Sequence, residues 1–195
     1  MSANQKGVKK FWPKKKWKKA VLITLIALVI VGVPIITFFE YSVYAEIAGS
    51  IEVKNEAGAK TALVIYHPGL TSFSHDIAYT FADRLASNGW RVEITTASAQ
   101  APATLAEYDL LILDWPIYDF YPGPTITNYV NRIGDLQGKD TVILTIGGGI
   151  NPFNAQETMK QIVQDANGNI KSSFIIFRGG NFTEKADQAA SQILP

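Results

Sequence analysis

The sequence predicts an α/β domain, with a parallel sheet covered by helices on both faces, carried behind one membrane-spanning helix. Three observations predict it. Residues 20–39 form an unbroken apolar run with eight lysines on one side of it only. From residue 60 onward, five short apolar runs alternate with stretches of helical periodicity. The runs end in turn signals such as His67-Pro68-Gly69 and Gly147-Gly148-Gly149, the places where strands hand over to helices.

The tail comes first. Residues 1–19 hold Lys6, Lys9, Lys10, Lys14, Lys15, Lys16, Lys18 and Lys19 and no acid, and the next cation is Lys54. Residues 20–39 carry no charge, and about 20 such residues span a hydrocarbon core of about 30 Å. Pro34 is tolerated in such a span, and Trp12, Trp17, Tyr41 and Tyr44 suit the two aromatic interfaces. Lysines stay on the cytoplasmic side and attract anionic lipid headgroups. The expectation is therefore a single-pass cell-membrane protein, N-terminus cytoplasmic and C-terminal domain extracytoplasmic. Val43-Tyr44-Ala45 resembles a signal-peptidase site, but the apolar run is longer than the usual h-region, which favours an uncleaved anchor. Residues 40–60 read as a polar linker, and 61–195 as the domain.

Composition narrows the chemistry. The formal charge is +1, yet outside the tail ten cations face 17 acids, so the domain is near −7. An acidic domain disfavours nucleic acid as a partner. With no cysteine there is no disulfide, no thiolate metal site and no cysteine nucleophile. His67 and His75 lack a metal-site pattern, no serine sits on a nucleophile elbow, and the triple glycine is not spaced as a dinucleotide fingerprint. Asn181-Phe182-Thr183 fits a glycosylation sequon, which matters only on a eukaryotic secretory route. No catalytic residue and no metal ligand is assigned.

Within the domain, residues 61–66 form the first continuous apolar strand, as expected of one covered on both faces. Ser72 or Ser74 then N-caps a helix to Ser87, with Ile77, Phe81 and Leu85 on one face and Asn88-Gly89 as its stop. Strands follow at 90–95 and 109–113. A proline- and aromatic-rich loop, 114–124, leads to a helix over 125–133. The fourth strand is 141–146, followed by a helix near 155–166, a strand at 174–177 and a last helix over 183–194. Ligands of open parallel sheets bind beyond the C-terminal strand ends. That rule singles out loops 66–74, 114–124 and 147–153.

These loops resemble those of flavodoxin-like domains. His67-Pro68-Gly69-Leu70-Thr71-Ser72-Phe73-Ser74 resembles the phosphate loop, whose usual core is Thr-Gly-Asn-Thr; the two hydroxyl positions are kept and the Gly-Asn pair is replaced by Ser72 and Phe73. Pro116-Ile117-Tyr118 and Tyr121-Pro122-Gly123-Pro124 resemble the proline–aromatic segment after the third strand. A basic tail, one span and a Pro-Gly-Leu-Thr loop are similar to membrane-anchored flavodoxin-like proteins of prokaryotes. The resemblance implies a three-layer, doubly wound, five-stranded sheet of order 2-1-3-4-5 with FMN at its edge. It implies phosphate contacts from Thr71, Ser72 and Ser74, ring contacts from Trp115, Pro116, Ile117 and Tyr118, and close backbone approach at Gly147 and Gly148. Each feature also has a plainer reading: the hydroxyls as N-caps, the aromatics as sheet-edge packing, the glycines as a tight turn.

Three functions are compatible with this. One is electron transfer through FMN, next to a membrane redox partner protein. Another is a non-enzymatic binding module whose flavin site was lost through Ser72 and Phe73. The third, an FMN-dependent quinone or NADPH reductase, needs a hydride-donor site that the sequence does not locate.

Overall fold

A computed structural model describes residues 15–118, 121–147 and 152–194. The chain divides into two compact units, 1–40 and 41–195. Helix α1 (Lys16–Tyr44) contributes every described residue of the first unit except Lys15 and continues unbroken through Pro34. Its most apolar 18-residue window has a mean hydropathy of 2.9, and none of it is buried. Among the described residues it is the helix long and apolar enough to cross a membrane. Lys6, Lys9, Lys10 and Lys14 lie outside the described residues.

The second unit is built on one sheet: β1 (Glu52–Lys54), β2 (Lys60–Tyr66), β3 (Trp90–Thr96), β4 (Leu110–Tyr118), β5 (Tyr121–Pro122), β6 (Asp140–Gly147) and β7 (Asn169–Phe177). The order is β1-β3-β2-β4-β6-β7, with β5 paired to β4. The five long strands run parallel and, counted among themselves, follow the order 2-1-3-4-5. Two short antiparallel strands make up the difference from the expected five.

Strand β2 shows how this sequence builds three layers. Ala62, Val64 and Tyr66 enter one core, while Leu63 and Ile65 enter the other, as alternation along a strand requires. On the first face lie α2 (Phe73–Ser87) and α5 (Phe182–Ile193), which pack together through Ile77, Phe81, Leu85, Ala186 and Ala190. On the second lie α3 (Pro124–Ile133) and α4 (Pro152–Asp165), with Ile126, Tyr129, Met159 and Val163 fully buried. Each such large apolar side chain contributes about 1.5–3 kcal/mol by leaving water.

Three boundaries differ from the sequence expectation. The stretch read as linker contains β1 and is stitched to the end of β3: Gly49 N–H donates to Thr96 Oγ1 at 2.8 Å, and Thr95 Oγ1 donates to Gly49 O at 3.2 Å. Strand β4 runs on through Asp114, Trp115 and Pro116 to Tyr118, where a loop was expected. Its pairing with β2 stops at Tyr66–Asp114 while its pairing with β6 continues to Pro116–Ile146. Pro116 therefore sits where one side of the strand is already an edge, the place a proline is tolerated. Strand β7 begins five residues earlier than expected, at Asn169.

Candidate functional site

The C-terminal ends of β2, β4, β6 and β7 meet the start of α2 around a cleft of about 150 Å³. Its walls include Gly69, Thr71, Ser74, Tyr118, Gly147 and Arg178. This is the strand-end location expected for a ligand in an open parallel sheet. The N-terminus of α2 brings a partial positive charge to the cleft, which favours an anion.

Gly69 shapes the near wall. Its φ of +62° favours glycine, and a Cβ there would come within 2.8 Å of Tyr118 Oη, so the phenol would have to shift. The Tyr118 ring also meets His67 edge to face, with centroids 6.2 Å apart. Burial, helped by the nearby Asp114, pushes the Tyr118 phenol up to about 12, so it stays protonated and able to donate.

The three hydroxyls are placed differently from one another. Thr71 lines the cleft and its Oγ1 accepts from Phe73 N–H at 3.4 Å. Ser74 lines the cleft and its Oγ lies 3.3 Å from Asp114 Oδ2, in hydrogen-bond contact. Ser72 is not part of the lining, and its hydroxyl donates to Asp76 Oδ2 at 2.8 Å. Ser72 also has helical backbone angles and makes no side-chain cap, so the capping expectation fails there. Asp76, in the first turn of α2, already places a negative charge at that helix end.

Trp115 corrects another expectation. It is completely buried in the second core and its Nε1–H donates to Gly123 O at 2.9 Å, so it is not a stacking platform. Pro116, Ile117, Tyr118 and Gly147 do line the cleft. Gly148 lies outside the described residues. Phe73 is part of the cleft lining, and its ring also meets Phe182 of α5 edge to face at 4.9 Å.

Sequence reasoning missed Arg178. It follows β7 directly, its N–H donates to Gly147 O at 3.0 Å, and its guanidinium lies 6.0 Å from the Phe73 ring centroid. The guanidinium is exposed at the cleft and makes no carboxylate pair among the described residues. The signal available beforehand was its position: the first residue past a strand end on the binding rim, ahead of Gly179-Gly180.

No family profile matches the chain, and no curated protein matches it in sequence. Solved structures do match. A flavodoxin from the domain Archaea superposes with a TM-score of 0.58 at 10% identity, covering 69% of this chain and 96% of that one. Flavodoxin 2 from Bacillus cereus gives 0.57 at 16% identity, with 69% and 97% covered. A Streptococcus pneumoniae TIGR4 flavodoxin gives 0.56 at 17% identity, again with 69% and 97% covered.

The domain has a flavodoxin-like fold.

On this flavodoxin-like scaffold, the donor set supports one half of a flavin site better than the other. Thr71, Ser74 and Arg178 suit a phosphate monoester, since hydroxyls and a guanidinium both donate to anionic oxygen. For a flat ring the described wall offers Tyr118 and the backbone around Gly147, without Trp115.

Proposed function

We propose that this flavodoxin-like domain binds FMN through its phosphate and serves as a membrane-anchored electron carrier. The observation that carries the reading is the cleft at the β2–α2 turn, where Thr71, Ser74 and Arg178 converge beside an α-helix N-terminus. Thr71 and Arg178 would hold the phosphate, with Ser74 adding a hydroxyl; Tyr118 and the backbone at Gly147 would bound the ring. Bound flavin supplies one- and two-electron chemistry, while the chain orients it and limits water around it. Helix α1 would act as the anchor, with the lysines cytoplasmic and the domain outside, and would raise the effective concentration of membrane redox partners.

The test is the visible absorption spectrum of the full chain purified in detergent, before and after adding FMN. Bound flavin is expected to appear as a yellow chromophore with quenched fluorescence. Colourless protein that leaves FMN fluorescence unchanged overturns the reading. A non-enzymatic binding module on the same fold is the second reading, favoured by the burial of Trp115 and by the Asp76 charge at the α2 N-terminus.

A further inference from the structure

Directly behind the cleft stands a carboxyl group with no obvious structural task. Asp114 is completely buried on β4, between its register partners Tyr66 on β2 and Leu144 on β6. One oxygen, Oδ2, meets the Ser74 hydroxyl at 3.3 Å; the other, Oδ1, is buried without a hydrogen-bond partner. No cation faces it among its described contacts: the titratable groups around it are the phenols of Tyr66 and of Tyr118 on its own strand. Of the two imidazoles, His67 gives its Nε2 to Ser42 O at 3.0 Å and packs on Tyr118, and His75 meets the Tyr66 ring edge to face.

We infer that Asp114 is a positioning residue for the anion site, setting through its own protonation whether the Ser74 hydroxyl donates into the cleft or away from it. The inference rests on the cleft binding an anion, as proposed above. A hydroxyl has one hydrogen to give. When Asp114 carries a proton, its Oδ2–H donates to Ser74 Oγ, and the Ser74 hydrogen is free to turn toward an anion beside Thr71 and Arg178. When Asp114 is ionised, it takes the Ser74 hydrogen for itself and sets a second negative charge behind the site. Anion binding is then tied to one proton held on Asp114. The surroundings favour the neutral acid: Oδ1 is buried without a hydrogen-bond partner and Oδ2 has only the Ser74 hydroxyl at 3.3 Å, too little to hold a carboxylate away from water. Burial moves the acid in the same direction, well above the ordinary carboxylate range.

The experiment is calorimetric titration of the full chain in detergent with sulfate, and separately with FMN, between pH 5 and 9. Sulfate stays a dianion throughout, whereas the FMN phosphate titrates near 6 and would blur the profile. Wild type is expected to lose sulfate affinity by about tenfold per pH unit once Asp114 ionises, the limit when only the protonated form is competent. Asp114→Asn, whose amide keeps donating to Ser74, is expected to bind sulfate without that loss. Ser74→Ala is expected to bind more weakly and with a flat profile, which keeps the test available if the Asn variant does not fold. A flat wild-type profile, or an Asp114→Asn profile that falls like wild type, overturns the inference. FMN binding with a pH-independent sulfate site would do so while leaving the flavin reading intact. A pH-dependent sulfate site that ignores FMN sinks the flavin reading and keeps the inference. No binding of either at any pH removes both.

Discussion

Trp115→Phe separates a structural tryptophan from a flavin-stacking one. In wild type the indole is fully buried and its Nε1–H donates to Gly123 O at 2.9 Å, pinning the β5–α3 corner to β4. Phenylalanine keeps one ring in place and loses two things. The smaller ring leaves roughly 40 Å³ unfilled, and at about 24 cal/mol per Å³ that costs about 1 kcal/mol. The lost hydrogen bond costs about 1 kcal/mol more, near the middle of the usual range, because Thr127 Oγ1 still donates to Gly123 O at 3.4 Å. The sum is about 2 kcal/mol, or roughly 4–8 °C in midpoint for a domain of this size. Near-ultraviolet circular dichroism during thermal unfolding of the detergent-solubilised full chain measures it. FMN affinity, measured by fluorescence quenching, is expected to change less than twofold. A variant with native stability and abolished FMN binding would refute the assignment of Trp115 to the core.

Other perturbations test neighbouring links. Arg178→Ala removes an exposed cation from the cleft without disturbing the core, and is expected to weaken FMN or sulfate binding about fivefold, roughly 1 kcal/mol, by titration. Ser72→Gly is expected to leave FMN affinity within twofold, because Ser72 already holds helical angles and lies outside the lining; a large gain would show that the phosphate loop was impaired at that position. His67 is buried and neutral, its pKa lowered chiefly by burial, so its contribution is complete above the ordinary value of 6.5 and is lost as pH falls through the lower folded pKa. His67→Gln is expected to flatten that acid limb in unfolding midpoints measured from pH 7 down to 4; an unchanged acid limb refutes it.

Much of this fold was legible in the sequence because its signals are local. Continuous apolar runs such as residues 61–66 have one economical place, the middle of a sheet covered on both faces, and β2 duly feeds both cores. The boundaries that escaped depend on contacts far along the chain. Glu52–Lys54 is too short and too charged to show a period; it is a strand because the edge of β3 accepts it. Asp114 and Pro116 read as loop residues, and only the earlier end of β2 explains how β4 carries them. At the site, the hydroxyls and glycines were legible as types, but their directions were not. That Ser74 faces Asp114, forty residues on, follows from where α2 sits on the sheet, whereas Ser72 meets Asp76 one helical turn along its own helix. Arg178 escaped because a lone cation after the last strand gains meaning only when the fold brings it to the same cleft as the loop after the first long strand.

The short strand ahead of the domain bears on how a soluble fragment should be cut. Starting the chain at Lys60, where the apolar pattern begins, would strip β1 and bare the outer edge of β3, where Glu52, Val53 and Lys54 now pair with Ile94, Glu93 and Val92. Such an edge recruits other chains. A fragment beginning before Ala45 keeps both the three-residue cover, with its Glu52 and Lys54 charges, and the Gly49 clasp on Thr96, and is the version expected to stay monomeric at high concentration.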